Sequence, residues 1–149
     1  MDNSEIAPVF CGRLTGGGSA IPDVVDDLIR SEPLAHGHSG ITPEMLEIFG
    51  LALNEVLHTI SEVAGEQTVA DDSSIELWVE RTLVIVCVKF RGAPLPNWLL
   101  ANWDRAQEPA VLAPNTETGW GWLLVREALD AVSHGWRGSE QLLYLEKRI

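Results

Sequence analysis

The amino-acid sequence predicts a two-layer α/β (α+β) sandwich, a mostly antiparallel mixed sheet with helices on one face. Three observations carry this. Residues 21–29 and 45–63 repeat apolar side chains at helical spacing. Residues 75–88 and 131–146 read as paired strands of hairpins. The resulting order, β-α-α-β-β-loop-α-β-β, separates into a helical layer and a sheet layer around one core.

The first strand spans Ile6 to Leu14, with an irregular start, and ends at Thr15-Gly16-Gly17-Gly18. That glycine run lacks the Gly-Lys-Ser/Thr ending of a phosphate loop, so it reads as a flexible turn. Ile21, Val24, Val25, Leu28 and Ile29 then face one way along a first helix, with Asp23, Asp26, Asp27 and Arg30 on the other side. Asp23 stands in its first turn, at the positive end of the helix dipole. Pro33 and His36-Gly37-His38-Ser39-Gly40 break the pattern and form a polar connection; the two histidines have no third ligand at metal-binding spacing.

Thr42-Pro43-Glu44 opens a second helix with a hydroxyl N-cap, proline at the first helical position and a carboxylate in the first turn. Its apolar stripe is Met45, Phe49, Ala52, Leu53, Val56, Ile60 and Val63, and Gly65 ends it. Glu55 and Thr59, one turn apart, border that stripe. Ile75, Leu77 and Val79 alternate with Glu76, Trp78 and Glu80, and the apolar run Leu83 to Val88 follows as a more buried partner strand. The stretch from Gly92 to Pro114 is rich in Pro and Trp and reads as a long loop, ordered by burial of Trp98 and Trp103. Gly119-Trp120-Gly121-Trp122 opens a third helix with Leu124, Val125, Ala128, Leu129 and Val132 inward and Arg126, Glu127 and Asp130 outward. A closing hairpin, Ala131 to Trp136 and Gln141 to Glu146, turns at Arg137-Gly138-Ser139.

With 149 residues and 46% hydrophobic content, the chain is expected to form one domain over residues 1–149. Leu83 to Val88 is far shorter than the about 20 apolar residues needed to cross a bilayer. The acidic start, Met1-Asp2-Asn3-Ser4-Glu5, has no basic and apolar leader pattern, and a cytoplasmic location is expected. Cys11 and Cys87 both have apolar neighbours and read as buried, reduced thiols. Charge is unevenly spread: residues 1–72 hold 13 acidic and 2 basic side chains, residues 73–149 hold 9 and 8. Such a field repels phosphate backbones and anionic membranes. It admits a basic protein segment docking around Asp23, Asp26, Asp27 and Glu47, or a merely solvated acidic face.

Leu51-Ala52-Leu53-Asn54-Glu55-Val56, Val86-Cys87-Val88-Lys89-Phe90-Arg91-Gly92-Ala93-Pro94, Gly119-Trp120-Gly121-Trp122-Leu123-Leu124-Val125 and Leu129-Asp130-Ala131-Val132 occur in an order and spacing that resembles the anti-sigma-factor serine/threonine kinases (RsbW type) of the GHKL ATPase superfamily. The resemblance spans nearly the whole chain, to Leu143-Tyr144-Leu145-Glu146-Lys147-Arg148 in the last strand, and implies the Bergerat, or histidine-kinase-like ATPase, fold. It implies an N-box of the form Glu-x-x-x-Asn, with Glu55 as general base and Thr59 where an asparagine binds Mg2+. It places Phe90 where the carboxylate of an Asp-x-Gly turn accepts from adenine, with Gly92 retained. Gly119 and Gly121 match the glycines beside the ATP phosphates, a helix start able to hold an anion. Trp120 and Trp122 stand beside them, filling that cavity or packing into the core. Asn54 points to another face of the helix and does not replace the missing amide.

The resemblance thus implies a regulatory, protein-binding domain with a degenerate site for ATP and Mg2+. It implies a sigma factor or a STAS-domain antagonist as partner, and admits a homodimer. One alternative is an active serine/threonine protein kinase using Glu55 as base, Gly119 and Gly121 at the phosphates, and Thr59 or water at magnesium. Another is a phosphorelay protein that accepts phosphate on His58 of the second helix. Hydrolase chemistry has no support, since neither a nucleophile elbow nor zinc-ligand spacing is present.

Overall fold

Hairpin pairing and helical periodicity build the architecture that the sequence implies. The computed structural model describes residues 7–14, 21–31, 40–64, 73–92, 94, 125 and 127–149. Among these the elements run β1 (Phe10–Leu14), α1 (Ile21–Ile29), α2 (Pro43–Ala64), β2 (Ser73–Val79), β3 (Leu83–Phe90), β4 (Ala131–Arg137) and β5 (Glu140–Arg148). The strands form one sheet in the order β1-β2-β3-β5-β4, and every pairing is antiparallel. The mixed component expected of the sheet is therefore not found among the described strands. The reason lies in the closing hairpin: β4 takes the outside position, so β5 returns against β3 in the opposite direction.

Helix boundaries follow from local chemistry. The Thr42 hydroxyl accepts the backbone N–H of Met45 at 3.1 Å, while the Thr42 carbonyl accepts that of Leu46. Thr42 is thus a true N-cap, with Pro43 in the first turn, where its missing N–H is no loss. At the end of α1, the hydroxyl and backbone N–H of Ser31 both donate to the Leu28 carbonyl, at 2.6 and 3.1 Å. The core lies between the layers: Val25 and Leu28 of α1, Phe49, Leu53, Val56, Leu57 and Ile60 of α2, and Ile75, Leu77, Val84, Val86, Val88, Phe90, Leu143 and Leu145 of the sheet.

Several expectations are corrected. The strand β1 begins at Phe10 rather than Ile6, although the Val9 N–H still donates to the Leu77 carbonyl. Cys11 is exposed, not buried. Phe10 and Cys11 point to opposite faces of the sheet, and Cys11 falls on the outer face opposite Glu76 of β2. Val132 is a β4 residue paired with Leu145, not part of a helix. The third helix is described only at Val125, Glu127 and Ala128, with Val125 and Ala128 buried and Glu127 exposed as expected. The last strand continues past Glu146 to Arg148 because Lys147 and Arg148 still pair with Val84 and Leu83 of β3; the Arg148 N–H also donates to the Asp130 carboxylate at 2.6 Å, and the Asp130 N–H donates to the Glu146 carbonyl. The Pro- and Trp-rich stretch, with Trp98 and Trp103, lies outside the described residues.

On the outer face, Cys11, Glu76, Cys87, Tyr144 and Ser133 line up across the five strands. Glu76 is ion-paired with Lys89, and this hydrogen bond raises the Lys89 pKa. Burial pushes the Cys87 thiol up to about 11. At pH 8 a thiol of that pKa is about one part in a thousand thiolate. A thiol-reactive dye is therefore expected to label Cys11 rapidly and Cys87 only after denaturation, as peptide mapping will show.

Two glycines give a paired stability test. A Cβ on Gly50 of α2 would sit 3.5 Å from Ile29 of α1, ordinary contact, so Gly50→Ala should stabilise by about 0.5–1 kcal/mol through helix propensity. A Cβ on Gly12 of β1 would meet Ile75, Phe10 and Val24 at 3.2–3.3 Å, so Gly12→Ala should destabilise. Urea unfolding of both variants checks the opposite signs.

Candidate functional site

The residues singled out by the sequence fall at two places. The first is the end of β3. Phe90 is fully buried, and the sheet register sets it opposite Gln141 of β5, which in turn faces Trp136 of β4. Gln141 is itself fully buried. Its amide nitrogen donates to the Gly92 carbonyl at 3.2 Å, and its amide oxygen lies 3.0 Å from His134 Nε2, which makes that nitrogen the donor. His134 in turn meets the Trp136 ring edge to face, centroids 5.6 Å apart. Gly92, at φ 138°, turns the chain out of β3 in a conformation that side chains disfavour.

On α2, Glu55 and Thr59 share one side as expected, with Thr59 buried and Glu55 half-buried. His58 beside them is exposed. Asn54 is turned toward α1, with its amide nitrogen donating to the Gly50 carbonyl at 3.1 Å. Its amide oxygen is buried without a partner among the described residues. Gly119, Gly121, Trp120 and Trp122 lie outside the described residues.

The second place is the groove between α1 and α2. Val25 and Ile29 of α1 and Leu46, Gly50 and Leu51 of α2 line it, with Asp26 and Glu47 at its lips. Its volume is about 220 Å3. Asp23 and Asp27 are exposed on α1 but do not line it. So two of the four acidic residues expected to meet a partner converge on one depression.

Sequence reasoning missed Gln141 and His134. A signal existed: Gln141 is a polar residue in phase with Leu143 and Leu145, on the buried side of an alternating strand. Among the described residues, no group of three His, Cys, Asp or Glu could hold a metal ion, and no helix is long and apolar enough to cross a membrane.

A helix layer on one antiparallel sheet, with this strand order, is a two-layer α+β fold that a solved structure shares. The chain is similar to a chain of the SiaB-SiaC complex from Pseudomonas aeruginosa, with a TM-score of 0.57 and 12% identity, over 99% of this chain and 94% of that one. It also matches the catalytic domain of histidine kinase ThkA, in a nucleotide-free form, with a TM-score of 0.48 and 15% identity, over 93% and 94% of the two chains. No family model and no curated protein matches the chain.

Replacing the Gln141 amide by an apolar group of similar size removes both hydrogen bonds, to the half-buried His134 and to the Gly92 carbonyl. Gln141→Leu is expected to destabilise by about 1–3 kcal/mol. Comparing its urea midpoint with that of the unchanged protein measures this directly.

Proposed function

We propose that the protein is a regulatory, protein-binding domain of the anti-sigma type whose binding of ATP and Mg2+ is impaired. The observation that carries this reading is the buried row at the end of β3. Phe90, at the position of the adenine-binding carboxylate in the resembling kinases, has no acceptor to offer. Its neighbour Gln141 has both ends of its amide engaged, with Gly92 and His134, so it offers a base no acceptor without breaking one of them. Thr59, at the magnesium-binding position, brings a buried neutral hydroxyl, a weaker ligand for a hard cation than an amide or carboxylate oxygen. These residues do not fit the nucleotide and its metal. The partner is a protein, as the similarity to a chain from a two-protein complex supports; by the resemblance it is a sigma factor or a STAS-domain antagonist, and a homodimer is admitted.

Glu55, half-buried on α2, is then a remnant of the general base with nothing to deprotonate. Loss of one charged hydrogen bond, about 1.5–3 kcal/mol, weakens nucleotide binding by about one to two orders of magnitude. Calorimetric titration with Mg·ATP and Mg·ADP is expected to show no low-micromolar binding. Phe90→Asp combined with Thr59→Asn should recover measurable affinity, with circular dichroism melts confirming that the variant is folded. Low-micromolar binding by the unchanged protein, abolished by Glu55→Ala, would overturn this reading and favour the active-kinase alternative.

A further inference from the structure

The groove between α1 and α2 has features that the nucleotide-type residues do not explain. Its floor is apolar, built by Val25 and Ile29 of one helix and Leu46 and Gly50 of the other. Gly50 adds no side chain to the floor, where a Cβ would stand 3.5 Å from Ile29, in ordinary contact. Beside it Leu51 and Ile48 hold large apolar side chains in solvent, at 51% and 48% exposure. Asp26 and Glu47 stand at the lips. Neither helix contains a Lys or Arg, while together they present Asp23, Asp26, Asp27, Glu44, Glu47 and Glu55. Arg30, just past α1, reaches Asp26 at 3.4 Å, but both side chains are mostly exposed, so this contact is weak and readily exchanged.

We infer that this groove docks an amphipathic helix of a protein partner, with leucine-like side chains on one face and Lys or Arg along its flanks. The inference rests on the regulatory reading above and names the chemistry of the partner it requires. An apolar floor with acidic lips selects that pattern, because the apolar ridge enters the depression while the flanking cations meet Asp26 and Glu47. A helix fits better than an extended strand. The walls are two helices whose backbones are already hydrogen-bonded, so no sheet edge is present there for a strand to extend, whereas their i, i+3, i+4 ridges accept a third helix. A small molecule is a poorer match: about 220 Å3 lies below the roughly 300–1,000 Å3 of such sites. Asn54, which lines the groove, supplies a second signal. Its amide oxygen is buried and lacks a partner among the described residues.

The test uses the full chain and a fluorescein-labelled 16-residue helical peptide with Leu on one face, Lys on its flanks and Ala elsewhere. One control peptide has the same composition shuffled so that the Leu residues share no face; another has Glu in place of Lys. Saturable binding by fluorescence polarisation is expected for the first peptide, at least tenfold weaker for both controls. It should fall as salt rises, as expected when the Debye length is about 8 Å at physiological strength. Leu51→Glu, and Asp26→Lys combined with Glu47→Lys, should each weaken binding tenfold or more. Glu80→Lys, in the β2–β3 turn, should leave it unchanged. The substituted residues are exposed or at the lips, and melting curves will confirm that the variants fold. Hydrogen exchange should show new protection at residues 22–29 and 46–54. Equal binding of the shuffled peptide, indifference to the groove variants, or protection elsewhere overturns the inference. So does a dimer that Leu51→Glu dissolves and the peptide does not, which would assign the groove to a second copy. None of these variants touches Phe90 or Thr59. The Mg·ATP titration therefore fails or succeeds independently, and separates an error about the groove from an error about the nucleotide chemistry.

Discussion

The apolar layer between α2 and the central strand β3 holds the rest of the molecule in place. β3 has a partner on each side, and Val84, Val86, Val88 and Phe90 on its inner face are all nearly or fully buried. Each such side chain contributes about 1.5–3 kcal/mol when removed from water. Against this face α2 sets Ala52, Leu53, Val56, Leu57 and Ile60. A helix committed to that stripe has no rotational freedom left. The same constraint therefore turns Thr59 inward, leaves His58 and Leu51 in solvent and aims Asn54 at α1. These side-chain orientations are by-products of how the core is filled.

The end of β3 is closed by residues that pair with one another. Phe90 extends the apolar layer to the last residue of β3. The polar groups nearby satisfy one another: Gln141 bridges Gly92 and His134, and His134 leans on Trp136. A place of this kind is stable without a ligand, because no buried donor or acceptor in that bridge is left waiting for one. Folds in general host many functions, so the architecture alone does not fix an activity.

Much of this was legible in the sequence because it depends on short-range periodicity. The alternation of Ile75, Leu77 and Val79, the stripe of α2 and the Thr42-Pro43-Glu44 start all reappear in the structure. The exposure of Cys11 was not legible, because an apolar neighbour along a strand points to the opposite face and says nothing about burial on its own side. Nor was the meeting of His134, Gln141 and Gly92: it joins the end of one hairpin to a strand about 50 residues earlier, and only the order β3-β5-β4 brings them together. The convergence of Asp26 and Glu47 likewise depends on how two helices lie against each other, which amphipathic patterns do not specify. The positions of Glu55 and Thr59 on one side of α2 needed only the helix repeat.

The turn between β4 and β5 carries a consequence of its own. Arg137 and Glu140 are paired across a two-residue connection, and Gly138 takes φ 61° in it, the positive value that tight hairpins place on glycine. This pins the register of both strands. Lengthening the connection so that β5 slips by one residue would exchange the faces of the strand: Gln141 would point to the outer surface, and Leu142 would take its place beneath the helices. The hydrogen-bonded bridge to Gly92 would be lost without any change to the residues that form it. The geometry of a glycine in the adjoining turn thus helps decide whether an amide faces the interior of this domain, and any change there that shifts the register would remodel the buried surface.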